Sequence, residues 1–495
     1  LGTSGNLTLR SEGASIKTSG IGSTAILAQS IGGGGGFVGT ANDEVTLGGT
    51  NLSHISSGNV EVTNSSLIST TGAGSAGLIA QSIGGGGGVV TMTSTEKITL
   101  GGVGVIDSLA SSVSVKNTGD ITTTGVASPL IMVQSIGGGG GFTTLQNDDV
   151  AADNTNTIQL GSKQAVRAKG GSITVENSGN LYSEGRSSSA LVAQSIGGGG
   201  GNIRRLTLNP FASNLHLGSV ESQAGSSGSI TVNNTGSFIT TQGAYARAVL
   251  VQSIGGGGGW LAGFTRKGAD VMIGAKSPSG TINSGNISLK NTARITTTGL
   301  SAGGITAQSI GGGGGLIGKR SGEIQMGLSN GSGSANSGSL DITNSGSIST
   351  KGDDAPAILL QSIAGGGGRS NQYFGNAQLG LTGSGGILNA TSGNVKLVNT
   401  GKFIITTGNS SAGITAQSIG GGGGFIGEQL NGSTTTIDHI GSLGAGSLTF
   451  DGAGDVIPNV TDDTLNSGDV TVTNTAPIST QGVISPGLLA QSIGG

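Results

Sequence analysis

The chain of 495 residues contains no cysteine, which excludes disulfides, thiolate catalysis and cysteine-based zinc sites. Charge is nearly as scarce. Only 9% of residues are Asp, Glu, Lys or Arg, and at a formal net charge of -3 a polyanion such as nucleic acid finds no electrostatic footprint. Aromatic residues make up 3%, with one Trp, Trp260, and three Tyr, so the stacking platforms of a glycan groove are thin on the chain. No apolar run reaches 18 residues and no stretch reads as a signal peptide, so a membrane enters only through a terminal domain outside this sequence. The chain opens at Leu1 and stops inside a glycine run at Gly495, as a segment of a longer protein would. Lack of cysteine also suits a chain exported unfolded through a narrow pore, where a premature disulfide would form a loop too wide to thread.

What the sequence has is glycine, 103 residues of it, a level at which disorder or silk-like low complexity must be weighed. Against disorder stands a strict alternation of apolar and polar residues in every copy of a repeat. The repeat centres on Gln-Ser-Ile followed by glycines, with Gln at Gln29, Gln81, Gln134, Gln194, Gln252, Gln308, Gln361, Gln417 and Gln491. These nine copies are spaced 52 to 74 residues apart, a period that signals a solenoid, propeller or array. We read one continuous body over 1–495, with repeat motifs ending near 36, 88, 141, 201, 259, 315, 368, 424 and 495, and with 425–466 as the longest variable insertion.

Within each copy, period-two runs of β-branched and aliphatic residues bounded by Gly, Asn and Ser predict three short strands, and no window has helical spacing. In the second copy these are Val60 to Asn64, Leu67 to Thr71 and Leu78 to Ile83. The first strand ends on Asn64, Asn117, Asn177, Asn234, Asn291, Asn344, Asn399 or Asn474. Asn tolerates the left-handed conformation and can bond the backbone two residues on, so this position predicts a corner, and stacked corners predict an asparagine ladder. The second strand is expected to turn its apolar residue inward and its hydroxyls outward. In the third strand adjacent apolar pairs such as Leu78-Ile79, Ile131-Met132 and Leu191-Val192 predict cover on both faces.

A variable segment of about 20 to 30 residues follows each glycine run and commonly carries one more strand, as at Val45 to Gly48 and Ile98 to Gly101. Four to six strands per repeat, taken three to a rung, predict two to three rungs per repeat and about 20 to 27 in all. At ~4.8 Å per rung the rod would be about 100 to 130 Å long. The expected fold is all-β, a right-handed parallel β-helix of about nine repeats. A propeller is the rival, but nine blades exceed the usual four to eight and blade aromatics are missing.

Chemistry is sparsely signposted. Five glycines satisfy any glycine-rich pattern trivially, and the nearest phosphate-loop analogue, Gly313 to Gly318 before Lys319, has Arg320 where Ser or Thr should bind magnesium. No cofactor site, metal site or catalytic residue is therefore read, and the runs are expected to be turns or flat strands permitting close backbone approach. His54, His216 and His439 fall in what the spacing suggests are different registers, which cannot converge on a metal. The acidic pairs Asp43-Glu44, Asp148-Asp149, Asp353-Asp354 and Asp462-Asp463 sit beside turn residues and, in a strand, would point to opposite faces. The Gly-Gly-x-Gly-x-Asp pattern of calcium nonapeptides is absent.

The recurring Ala-Gln-Ser-Ile and glycine run, with Gly-Ile or Gly-Leu before it and Asn-Ser/Thr-Gly upstream, resembles the repetitive passenger region of large Gram-negative autotransporters over essentially the whole chain. The resemblance implies a β-helical stalk outside the cell, outer-membrane anchored or secreted, usually preceded by a signal peptide and followed by a translocator barrel. It implies a non-enzymatic surface adhesin whose partners are host, abiotic or neighbouring-cell surfaces. The alternative is a self-assembling extracellular filament or sheath subunit whose partner is a further copy of itself, and a low-ranked third is a β-helical polysaccharide-active enzyme. Binding is expected in the variable segments.

Two packing expectations follow. Val60, Val62, Leu78 and Ala80 should face a narrow interior, while Thr63 and Thr70 should be tolerant positions. The glycine run, with Ala364 its one visible departure, is entropically unfavourable to order, so it should lie backbone-close against another layer. That layer is either a variable segment folded back over the third strand or a neighbouring molecule. It would also cover the second apolar row at Leu27, Ile79, Met132, Val192, Leu250, Leu359 and Leu489, which Thr306 and Thr415 interrupt.

Overall fold

The computed structural model describes residues 2–39, 41, 44–51, 53–93, 97–145, 157–163, 167–206, 214–219, 225–263, 270–275, 279–318, 320–321, 324–329, 332–370, 373–374, 377–382, 387–426, 437–442 and 464–494. Every regular element among them is a β-strand, and every strand pairing is parallel. In the second turn the strands are β1 (Val60–Asn64), β2 (Leu67–Thr70), β3 (Leu78–Ile83), β4 (Gly87–Thr93), β5 (Ile98–Leu100) and β6 (Ile106–Leu109). Each pairs with its equivalent one repeat away, as in Val60 with Val113, Gln81 with Gln134 and Gly87 with Gly140. The chain is thus a parallel β-helix in which β1, β2 and β3 each form a nine-stranded sheet and β4 and β5 eight-stranded ones. The β6 position is discontinuous, with a pair of strands early, isolated bridges through Lys169 and Ser226, and a four-stranded sheet from Ser279–Asn283 onward.

One repeat is therefore one turn, not two or three. Eight steps of ~4.8 Å make the nine-turn stack about 40 Å high, less than half the expected rod. The extra strands of a repeat do not start a new rung but widen the existing one. In each turn β1, β2 and β3 enclose one apolar core, containing Val60, Val62, Ile68, Leu78 and Ala80. The chain then reverses through the glycine run, so that β4 lies along the outer face of β3 and β5 along the outer face of β4, closing a second core through Val90, Ile98 and Leu100.

Strand β3 is thus a wall between two cores, which is why its residues are buried at all six positions in the second turn. Ile79 faces Val89 of β4 while Leu78 faces the first core. The expected cover on the second apolar row exists, and it is the post-glycine segment of the same chain. Val60, Val62, Leu78 and Ala80 are buried in the interior as expected. Thr70 is not a tolerant outward position. It is fully buried and its Oγ1 donates to the Ser75 carbonyl at 2.6 Å, because strand alternation sends Ile68 and Thr70 inward and Leu67 and Ser69 outward.

Candidate functional site

The repeated Gln-Ser-Ile motif has a separate job for each residue. All nine glutamines lie on the β4-facing side of β3 and form one unbroken ladder, each Nε2 donating to the next Oε1 at 2.6 to 2.8 Å from Gln29 through Gln491. Each internal amide therefore finds its partners inside the stack, which a buried side chain requires. The serines face the other way. Ser30, Ser82, Ser135 and Ser195 accept from the backbone N–H of Gly58, Ser111, Gly171 and Gly228 in the following turn, pinning the corner between β6 and β1. The isoleucines form a buried column of their own, Ile83, Ile136, Ile196 and their equivalents. The role of the serine was not anticipated, although the Ser-Gly that precedes most β1 strands is the other half of the same contact.

The asparagines make the second ladder, each Nδ2 donating to the next Oδ1 at 2.6 to 2.8 Å from Asn64 through Asn474. The same nitrogen reaches the carbonyl two residues on, as in Asn117 to Gly119 at 2.7 Å. None of these asparagines has a positive φ, so the corner comes from this side-chain bond rather than from a left-handed backbone.

The glycine run is the point where β3, β4, β5 and β6 of one turn converge. Gly86, Gly87 and Gly88 have φ of 87°, 129° and 138°, a region closed to residues with a Cβ. A Cβ on Gly87 would also lie 2.0 Å from the Gly140 carbonyl oxygen of the next turn. The first position of the run lacks a positive φ, which is where Ala364 is accommodated, against Leu328, Ala335 and Ala390. Around Gly313 the run enters a strand, Gly314–Ile317, and forms no phosphate loop; Lys319 lies outside the described residues.

Buried charge is concentrated in the wedge between β4, the outer face of β3 and the β2–β3 corner. Arg204, Arg247 and Arg369 are among the largest fully enclosed side chains, and Asp354 is buried beside Arg247 and Arg369. The Arg204 guanidinium sits over the rings of Phe142, 5.5 Å away in the turn before, and Trp260, 4.9 Å away in the turn after, and donates to Asn202 Oδ1 at 3.1 Å and to the Ser187 carbonyl. It thereby fills the gap left in an aromatic column by Asn202, which pairs with Phe142 on one side and Trp260 on the other. Burial pushes the Arg204 pKa down to about 9. For Arg247, burial and then repulsion from Arg369 lower it to about 9 against the opposing pull of Asp354. Arg369, lowered by burial to about 10 and likewise supported by Asp354, stacks over Phe425 at 4.6 Å.

The other singled-out residues do not converge. Asp107 binds both His54, at 3.0 Å, and Arg167, at 2.6 Å, across three successive turns on the exposed β6 side. His216 is half-buried in β5, and the register runs from it through Met272, Gln325 and Gln378 to His439, so these two histidines share a row after all. Four turns separate them, about 19 Å at ~4.8 Å per turn, too far to share an ion. Among the described residues no three His, Cys, Asp or Glu side chains are placed to hold a metal. Of the acidic pairs only Asp353-Asp354 is described in full, and it lies in a turn as expected. Asp43, Asp148, Asp149, Asp462 and Asp463 lie outside the described residues, as does most of 425–466.

No protein-family model matches the chain, and no curated protein does. Among solved structures, a periplasmic alginate epimerase AlgG T265N mutant aligns at 8% identity over 76% of each chain with a TM-score of 0.12. DFA-IIIase from Arthrobacter chlorophenolicus A6 in complex with GF2 aligns at 10% identity over 77% of this chain and 89% of its own, with a TM-score of 0.10. Scores this low carry no argument about fold or chemistry.

Proposed function

We propose that the chain is a cell-surface or extracellular structural and adhesive repeat protein, a stalk of the kind its resemblance to autotransporter passengers implies, and not an enzyme. The observation that supports this reading is the division of labour between scaffold and insertions. The ladders and the serine corners are satisfied by contacts between turns inside the stack. The variable segments join the scaffold at fixed columns, between β4 ends such as Leu145 and Arg205 and β5 starts such as Thr157 and Asn214. Sequence can change there without disturbing the turns, which is the usual placing of recognition on a rigid support. Partners in this reading are host, abiotic or neighbouring-cell surfaces.

The test is adhesion of beads coated with the purified chain to cell layers and to glass, beside a variant with 146–156 and 427–436 replaced by Gly-Ser linkers. Retained circular dichroism and unfolding midpoint with lost adhesion supports the reading. Adhesion that survives the replacement overturns the placing of recognition, and concentration-dependent polymers in sedimentation without adhesion would favour a filament subunit instead.

A further inference from the structure

A solenoid built from near-identical turns has a matching problem. Every turn offers its neighbours the same Gln, the same Ser and the same glycine backbone, and eight of the nine offer the same Asn. Those groups bind a turn well but do not say which turn it is. A turn skipped, or exchanged with a second copy of the chain, would rebuild both ladders intact. Slippage of this kind is the failure expected where register is weakly specified.

The structure assigns the buried wedge residues Arg204, Arg247, Asp354 and Arg369 the role of a register lock, which fixes the order of turns by contacts that the next turn along cannot complete. Arg247 Nη1 donates at 3.0 Å to Thr306 Oγ1 in the next turn. The residue at that place one turn further on is Leu359, and one turn earlier Leu250, neither of which can accept. If the turn carrying Thr306 were skipped, Arg247 would keep its charge in the interior and lose this acceptor. Arg204 likewise needs its own two neighbours. The partner of Trp260 in the following turn is Leu316, so a skip would replace an indole face by an aliphatic chain over a buried cation. Arg369 stacks on Phe425 of the turn after, and Asp354 lies close enough to Arg247 and Arg369 to favour the charge on both, linking contacts over several turns. A buried charge stripped of its partner is far less favourable than an apolar residue in its place, so each wrong pairing is penalised where the ladders are indifferent.

The absence of cysteine makes the order of turns directly readable. Thr240, Thr296 and Ser349 are register partners on three successive turns of β2. Adjacent turns lie within disulfide reach, whereas alternate turns, ~9.6 Å apart, do not. The experiment refolds the full chain from denaturant and oxidises it, carrying either T240C with T296C or T240C with S349C, with and without the combined changes Arg204→Met, Arg247→Met, Asp354→Leu and Arg369→Met. With the native wedge only the adjacent pair should close. Without the lock the alternate pair should close in roughly a tenth of molecules or more, within or between chains, while the unfolding midpoint stays equal or rises. No closure of the alternate pair in a refolded unlocked chain overturns the proposal. Should the combined variant fail to refold, Arg204→Met alone with Y182C and T296C, which lie two turns apart through Thr240 on the turn that carries Trp260, decides in the same way. A control, Gln252→Leu, breaks a repeated contact and should lower the midpoint without any alternate closure. Alternate closure in that control would mean that loss of stability alone permits slippage, and would overturn a specific role for the charges.

Discussion

Arg247 Nη1 lies 3.0 Å from Thr306 Oγ1, a bond between two fully buried side chains on adjacent turns. It accounts for the break that Thr306 makes in the apolar row, one of two, the other being Thr415.

Thr306→Val would remove one of the two breaks in that row and keep the residue's shape, yet it should destabilise. The hydroxyl removed is the acceptor of a charged, enclosed donor, and an unsatisfied buried group costs about 1 to 3 kcal/mol. A urea midpoint unchanged or raised relative to the parent would show that the bond carries nothing.

Replacing Gly86 and Gly87 by Val should unfold or severely weaken the chain, although Val is the better strand former. Each position demands a positive φ, a strain of about 1 to 3 kcal/mol per residue, and the new Cβ atoms would meet backbone, the Gly140 oxygen at 2.0 Å for Gly87. Circular dichroism and thermal unfolding check this, and a double variant as stable as the parent would mean the run is a pliable loop.

Breaking the glutamine ladder should hurt more inside than at its end. Gln252→Leu strands the donor of Gln194 and the acceptor of Gln308, both fully buried, for a loss of about 2 to 4 kcal/mol. Gln491→Leu removes a single, part-buried bond and should cost about 1 kcal/mol or less. Equal midpoints for the two variants would contradict the ladder's cooperative burial.

Arg204→Met should be neutral or stabilising at pH 7, since it removes a cation whose charged form burial disfavours. The sign of the pH dependence follows from a folded pKa of about 9 lying below the ordinary guanidinium value. The parent gains stability as pH rises through and above 9, where the folded state sheds the proton first, and the penalty is in full force below that. The advantage of the Met variant over the parent should therefore shrink from pH 8 to pH 11, and a difference that stays flat or grows would contradict the assignment.

The strands, the parallel stacking and the asparagine ladder were legible because each turn repeats them, and repetition converts a weak local signal into a strong one. The doubled Leu78-Ile79 rightly announced a wall with two covered faces. The number of turns was not legible, because strand counts such as Val60, Leu67, Leu78, Gly87 and Ile98 do not say whether a fourth strand starts a new rung or folds back on the third. That depends on what five glycines do, and a residue without a side chain leaves no burial pattern to read. The buried arginines were hidden for the opposite reason. Arg204, Arg247 and Arg369 each occur once in their rows, and a single charge in a strand or corner reads as exposed until β4 is seen lying on β3. Thr70 misled because a hydroxyl at an inward position finds its acceptor only when the β2–β3 corner closes on it.

That a turn equals a repeat has a consequence for the polymer physics of the insertions. Every stacking contact joins residues one whole repeat apart, so each turn is closed as a loop of 52 to 74 residues. Closure entropy grows only as (3/2)RT ln n, so the longest loop is disfavoured relative to the shortest by ~0.3 kcal/mol. The stack is therefore almost blind to how much chain hangs from it, and insertion length is free to drift while turn geometry stays put.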